Sequence, residues 1–175
     1  MEIPCEVEQL DKGNYHIVGF QMGASTQERR WPVKYFVELA QKLIDSKPTI
    51  QIKLIGSPRE LELPEEFFVL LPEKYHSNIE NLVGKTSLPD LLSQIQIMDV
   101  LVTGDTGPLH LAITLQRPTV SLFATADPKW TGPYQDLHLH TIINKKPSSN
   151  EEIPASMDLI TVDEVFDAVN KTLKD

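Results

Sequence analysis

The run Val102-Thr103-Gly104-Asp105-Thr106-Gly107-Pro108-Leu109-His110-Leu111-Ala112 puts an acid, a hydroxyl, two glycines and an imidazole into one short stretch. The chemistry it predicts is recognition of an anion. Val100-Leu101-Val102 predicts a strand, and Pro108 suits the first turn of a helix that Asp105 or Thr106 can cap. The free amides of that turn, with the positive end of the helix dipole behind them, suit a pyrophosphate. His110 follows Gly107 by about one helical turn and can face the same ligand. Each residue also has a plainer role. Asp105 can be a helix cap alone, and His110, beside Leu111 and Leu115, can be a satisfied, half-buried histidine.

To position these groups the chain needs a sheet, and apolar periodicity alternates between strand and helix as in repeated β-α units with a mostly parallel sheet. Strands are expected over Tyr15 to Gln21, Gln51 to Ile55, Ile79 to Val83, Asp99 to Thr103, Pro118 to Phe123 and Leu137 to Ile143. Pro32 opens a helix whose apolar face is Val33, Phe36, Val37, Ala40, Leu43 and Ile44, with Pro48 just beyond its end. Leu88 to Ile97, Pro108 to Leu115 and Thr161 to Leu173 read as further helices, and Arg59 to Tyr75 as a helix interrupted by Pro64 and Pro72. Ala124 to Gln135, with Trp130 and Tyr134, reads as an ordered loop, and Asn144 to Pro154 as a polar stretch. Trp31 is expected to pack where the first helix begins, and Arg30 to be structural.

Polar and glycine residues collect after the strands, where ligands bind in open parallel sheets. Gly23-Ala24-Ser25, Gly56-Ser57, Gly84-Lys85-Thr86-Ser87 and Gly104 to His110 follow the first four strands. Four such junctions on one edge imply one ligand.

Composition narrows the classes. The 175 residues are 41% hydrophobic and lack an apolar run of membrane-spanning length, which fits one globular domain. A net charge of −9, with only Arg29-Arg30 and Lys145-Lys146 as basic pairs, argues against nucleic acid as the partner. The single cysteine, Cys5, forms no internal disulfide, and Met1 to Glu6 lacks a secretory pattern, so a cytoplasmic location is expected. No Asp-x-Asp metal signature or zinc-type spacing occurs, so no metal is expected.

Gly23-Ala24-Ser25 with Arg29-Arg30-Trp31-Pro32, then Asn81-Leu82-Val83-Gly84-Lys85-Thr86-Ser87-Leu88, then Asp105-Thr106-Gly107-Pro108-Leu109-His110-Leu111-Ala112 and Pro118-Thr119-Val120 occur in that order. Together they resemble glycosyltransferase family 9, the bacterial ADP-heptose:lipopolysaccharide heptosyltransferases, from about Tyr15 to Val169. The resemblance implies an α/β fold, a Rossmann-like parallel sheet flanked by helices that forms the C-terminal half of a GT-B enzyme. Residues 1–175 would then be a single nucleotide-sugar domain without the N-terminal acceptor domain.

By the same resemblance, Asp105 contacts the donor sugar, and Thr106 and Gly107 present amides to the diphosphate with His110 close behind. Arg29 stands where the family usually has a phosphate-neutralising lysine. Glu60 matches the acid at the ribose, Thr86 a position lining adenine, and Ser25 a small hydroxyl near the phosphates. Ala124 departs from the glycine the family often has there. Trp130 and Tyr134 can either pack on the sheet end or border the cleft toward the missing domain. The implied reaction is heptose transfer from ADP-heptose to a lipopolysaccharide core acceptor with inversion, without a metal cofactor. The acceptor side would be supplied by the missing half, and the full-length enzyme could associate peripherally with a membrane. The alternative is a nucleotide-binding module without transfer activity. Asp105-Thr106-Gly107 also matches an aspartic protease motif, which would require an all-β setting.

Overall fold

The computed structural model describes residues 13–145 and 156–174. Cys5, the Met1 to Glu6 run and residues 146–154 of the expected polar stretch lie outside the described residues. The strands are β1 (His16–Gln21), β2 (Ile50–Ile55), β3 (Ile79–Asn81), β4 (Val100–Thr103), β5 (Thr119–Phe123) and β6 (His140–Asn144). The helices are α1 (Val33–Ser46), α2 (Glu62–Leu70), α3 (Leu88–Gln96), α4 (Gly107–Thr114), the short α5 (Pro128–Thr131) and α6 (Val162–Lys174).

Every strand pairing is parallel, in the order β3-β2-β1-β4-β5-β6. This is the doubly wound order, and chain direction across the sheet reverses between β1 and β4. The fold is thus α/β and Rossmann-like, and the all-β setting of a protease is ruled out.

The pleat sorts side chains to two faces. Val18, Phe20, Ile52, Leu54, Val100 and Val102 meet the apolar faces of α1, α2 and α6. Ile17, Ile55 and Leu101 meet Ile95 of α3, Ala112 of α4 and Met98. Gly19 keeps that second face thin, because a Cβ there would lie 2.3 Å from Met98 Sδ and 2.9 Å from Leu101 Cδ1.

Trp31 packs as expected. It is 2% exposed, meets Phe36 edge-on with centroids 4.8 Å apart, and donates its indole N–H to Ile160 O at 2.9 Å. Such a contact ties the start of α1 to the segment before α6. Arg30 is structural as expected, with Nη1 3.2 Å from Glu62 Oε1.

Four local expectations change. Pro64 lies in the first turn of α2, where its missing N–H breaks no helical bond, so only Pro72 interrupts the segment. β3 stops at Asn81 because the Asn81 side chain accepts from Val83 N–H at 3.1 Å and Gly84 turns the chain at φ 71°. Leu137–Leu139 is a 3-10 turn entered through Asp136 at φ 47°, so the last strand begins at His140. Finally, Thr106 is the residue preceding α4, but its side chain does not cap the helix. Among the described residues no helix is long and apolar enough to cross a membrane.

Candidate functional site

Each strand of the β3-β2-β1-β4 half ends in a loop built from the glycine and polar residues singled out in the sequence. After β1, a turn over Gln27–Arg29 brings the Arg29 guanidinium back over the sheet edge. Its Nη1 lies 3.7 Å from Asp105 Oδ2, with Arg29 41% and Asp105 13% exposed. That places a partly open cation beside a largely covered carboxylate.

After β2, Ser57 and Glu60 form a capping box around Pro58–Glu60, with Ser57 N–H donating to Glu60 Oε2 at 2.7 Å. The carboxylate is held directly over two glycines. A Cβ on Gly23 would come within 1.7 Å of Glu60 Oε1, and one on Gly56 within 2.7 Å of Glu60 Oε2. Glu60 is therefore a fixed, half-buried acceptor at the sheet edge and not a freely solvated acid.

After β3, Gly84 turns the chain into Thr86 and Ser87, and Ser87 caps α3 reciprocally with Asp90. Hydrogen bonds from the Ser87 hydroxyl, then from its backbone N–H, hold the Asp90 carboxyl below its ordinary range.

After β4, the hydroxyls of Thr103 and Thr106 are 2.8 Å apart, and Thr103 Oγ1 donates to Gly104 O at 3.1 Å. Because a hydroxyl has one proton, Thr106 must donate to Thr103 in this arrangement. The Thr106 side chain is thus turned away from the helix end. The first amides of α4 are left without a side-chain cap, in the state that suits an incoming anion.

The four loops enclose one cleft of about 680 Å³. Ser25, Arg29, Glu60, Thr86, Asp105, Thr106, Gly107 and His110 all line it. His110 is exposed on that wall and is not the half-buried histidine of its alternative reading. Trp130 and Tyr134 do not pack on the sheet end. They are 87% and 72% exposed and are absent from the cleft wall. Ala124 is buried in the core at the end of β5.

Residues to which the sequence assigned no ligand role also shape the cleft. Gln21, the last residue of β1, is 4% exposed and lines the floor, and its Oε1 has no hydrogen-bond partner. Leu88 and Leu91 of α3 add an apolar wall beside Thr86, with Leu88 62% exposed. Thr103 is fully buried and fixes the Thr106 hydroxyl. The signal available for Gln21 and Thr103 was a polar side chain at the last position of an otherwise apolar strand. Among the described residues no group of three or more His, Cys, Asp or Glu is arranged to hold a metal ion.

Chemically, the cleft offers a guanidinium and bare amides at one end, two carboxylates at different points of its wall, and an apolar patch. An elongated ligand with a charged middle, hydroxyls and a flat apolar end matches that order.

The chain is similar to known proteins in both sequence and fold. The glycosyltransferase family 9 (heptosyltransferase) model matches residues 4–160. The lipooligosaccharide heptosyltransferase 2 of Haemophilus influenzae is 33% identical over 125 residues, 71% of this chain and 36% of that protein. The lipopolysaccharide heptosyltransferase 2 of Escherichia coli K12 is 34% identical over 118 residues, 67% of this chain and 33% of that protein. Among solved structures, the E. coli ADP-heptose lps heptosyltransferase II superimposes with a TM-score of 0.80 at 30% identity. That superposition covers 91% of this chain and 46% of the other. The chain thus spans about a third to a half of the length of these relatives.

Proposed function

The chain belongs to glycosyltransferase family 9, and from that premise we propose that it is the donor-binding domain of a heptosyltransferase. The transfer would move heptose from ADP-heptose to a lipopolysaccharide core acceptor with inversion. The observation that carries this reading is the convergence of Arg29, Asp105 and the uncapped first turn of α4 on one cleft at the β1/β4 reversal.

In the proposed reaction the acceptor oxygen attacks the anomeric carbon, the bond from that carbon to the diphosphate breaks, and ADP departs with the electron pair. Negative charge grows on the departing diphosphate. Arg29 and the amides of Thr106 and Gly107 lie where they stabilise that charge more in the transition state than in the ground state. A guanidinium can fork two phosphate oxygens, so Arg29 fills a role that a lysine would fill as a point charge. With that charge met by Arg29 and the helix, the step requires no metal. Asp105 accepts from hydroxyls of the heptose, Glu60 from the ribose, Ser25 sits near the phosphates, and the base lies against Thr86 and Leu88. His110 stands one turn behind the phosphate site.

The proton of the acceptor hydroxyl goes to a base on the acceptor side, which this chain does not supply. The chain therefore binds donor and transfers little or nothing alone. A lipid-linked acceptor would bring the whole enzyme to the cytoplasmic membrane surface, while this domain, with its net charge of −9, is not the part held to anionic lipid.

Calorimetric titration of the 175-residue chain with ADP, UDP and GDP at fixed salt tests the reading. ADP is expected to bind in preference, and Arg29→Ala to weaken it by about ten- to a hundredfold, the scale of a lost charged hydrogen bond. Absence of nucleotide binding by a folded chain, or binding indifferent to Arg29→Ala, counts against the proposal. Heptosyl transfer by this chain alone would overturn the division of labour.

A further inference from the structure

Gln21 stands apart from the other cleft residues because its polar end is buried without a partner. Its side chain leaves β1 on the face covered by α3 and α4, at the register position paired with Ile55 on one side and Thr103 on the other. Thr103 satisfies its own hydroxyl through Gly104 O and Thr106. Gln21 Oε1 has no such neighbour, although the residue is 4% exposed. A buried carbonyl oxygen left without a donor costs free energy, and its persistence at a cleft floor points to a donor that arrives with the ligand.

The chemistry of that donor is constrained. A diphosphate at neutral pH has acceptors only, so it can take a hydrogen bond from the Gln21 amide N–H but leaves Oε1 unsatisfied. Two positions along the chain, Gly23 lies under the Glu60 carboxylate, which is also an acceptor, and Gln21 shares the cleft wall with Glu60. Two acceptors lining one cleft suit a ligand carrying adjacent hydroxyl hydrogens, as a vicinal diol does.

We propose that the Gln21 carboxamide is a second ribose-recognising group, accepting an O–H from the nucleotide's diol beside Glu60. This rests on the nucleotide-binding reading above and deepens it. Gln21 makes the site selective for a ribonucleotide over its deoxy counterpart. It also has a second consequence, because in the empty site the unpaired oxygen is a defect. Gln21→Met removes the defect with a side chain of similar length, so the ligand-free chain gains thermal stability while ribonucleotide binding weakens. A glutamine serving only the packing of the strand end would lower both or neither.

The test uses the full 175-residue chain and its Gln21→Met and Gln21→Leu variants, titrated with ADP and with 2′,3′-dideoxy-ADP, alongside melting curves without ligand. Wild type is expected to prefer ADP. The substitutions should weaken ADP by about tenfold, as for one lost buried hydrogen bond, and leave the dideoxy nucleotide nearly unchanged. The melting temperature of at least one ligand-free variant should rise. Equal losses toward both nucleotides, or no loss toward ADP, overturn the role of Gln21 while leaving nucleotide binding in place. Failure of wild type to bind ADP, UDP or GDP overturns the nucleotide reading and this inference with it.

Discussion

Asp105 and Arg29 face each other at 3.7 Å, and that contact puts two uses of the guanidinium in competition. A diphosphate arriving at the α4 end must share Arg29 with a carboxylate that is itself a like charge to the phosphates. With ADP alone the carboxylate therefore opposes binding, whereas with a nucleotide sugar it gains hydroxyls to accept from. Asp105→Asn is expected to tighten ADP by about three- to tenfold at low salt and to weaken ADP-heptose, as read by calorimetry on both ligands. Equal weakening of the two would mean that Asp105 holds the loop and not the sugar. Gly107 gives a second contrast of sign. It is the first residue of α4, lines the cleft, and a Cβ on it would meet nothing within 4 Å. Gly107→Ala should stabilise the empty chain by about 0.4–1 kcal/mol through its less mobile unfolded state. The same methyl would stand where a phosphate approaches the backbone, and nucleotide affinity should fall by about tenfold. Urea melts and titrations on one preparation would separate the two effects, and unchanged affinity would place the phosphate elsewhere.

The elements carry the site because β1 lies at the centre of the sheet with glycine where bulk would obstruct. At Gly19 a methyl would lie 2.3 Å from Met98 Sδ, so Met98, just before β4, packs directly across β1. Gly19→Ala should cost about 1–3 kcal/mol in urea unfolding, the usual price of overpacking a core. Adding Met98→Ala should recover part of that loss, giving a measurable coupling between the two positions. Additive losses would show that Gly19 matters for another reason. The helix over Val33–Ser46 was legible because its apolar residues fall on one stripe, and β1, β2, β4 and β5 because apolar runs ended at glycine, proline or polar residues. The Leu137–Leu139 turn was not, since Leu137 and Leu139 alternate with polar residues as a strand would, and only the positive φ of Asp136 diverts them. Thr106 was misread as a possible cap because hydroxyl type before a helix does not reveal a competing partner three residues back, here Thr103. The cleft's loops could be read from the glycines. The orphaned oxygen of Gln21 and the position of Glu60 over Gly23 could not, because both depend on which loops come together across the sheet.

At the scale of the whole molecule, the cleft draws on β1, β2, β4 and the loop after β3, so its geometry exists only when the central sheet and both helical layers are in place. Ligand binding must then be linked to global folding: a nucleotide held by Arg29, Glu60 and α4 together binds the native chain and not the unfolded one. At a free concentration a hundred times its Kd such a ligand adds about 2.7 kcal/mol of stability. For a chain of this size each kcal/mol moves the melting temperature by about 2–4 °C, so ADP should raise it by about 5–10 °C in one cooperative transition. UDP at the same concentration should raise it less if, as proposed, the apolar patch of Leu88 and Leu91 and the backbone at Thr86 receive the larger base. The comparison also tests whether the site is complete within this chain. If ADP leaves the transition where it was while the chain unfolds cooperatively, the four loops do not suffice to bind nucleotide. If the shift appears and Arg29→Ala abolishes most of it, nucleotide recognition belongs to the residues of this cleft.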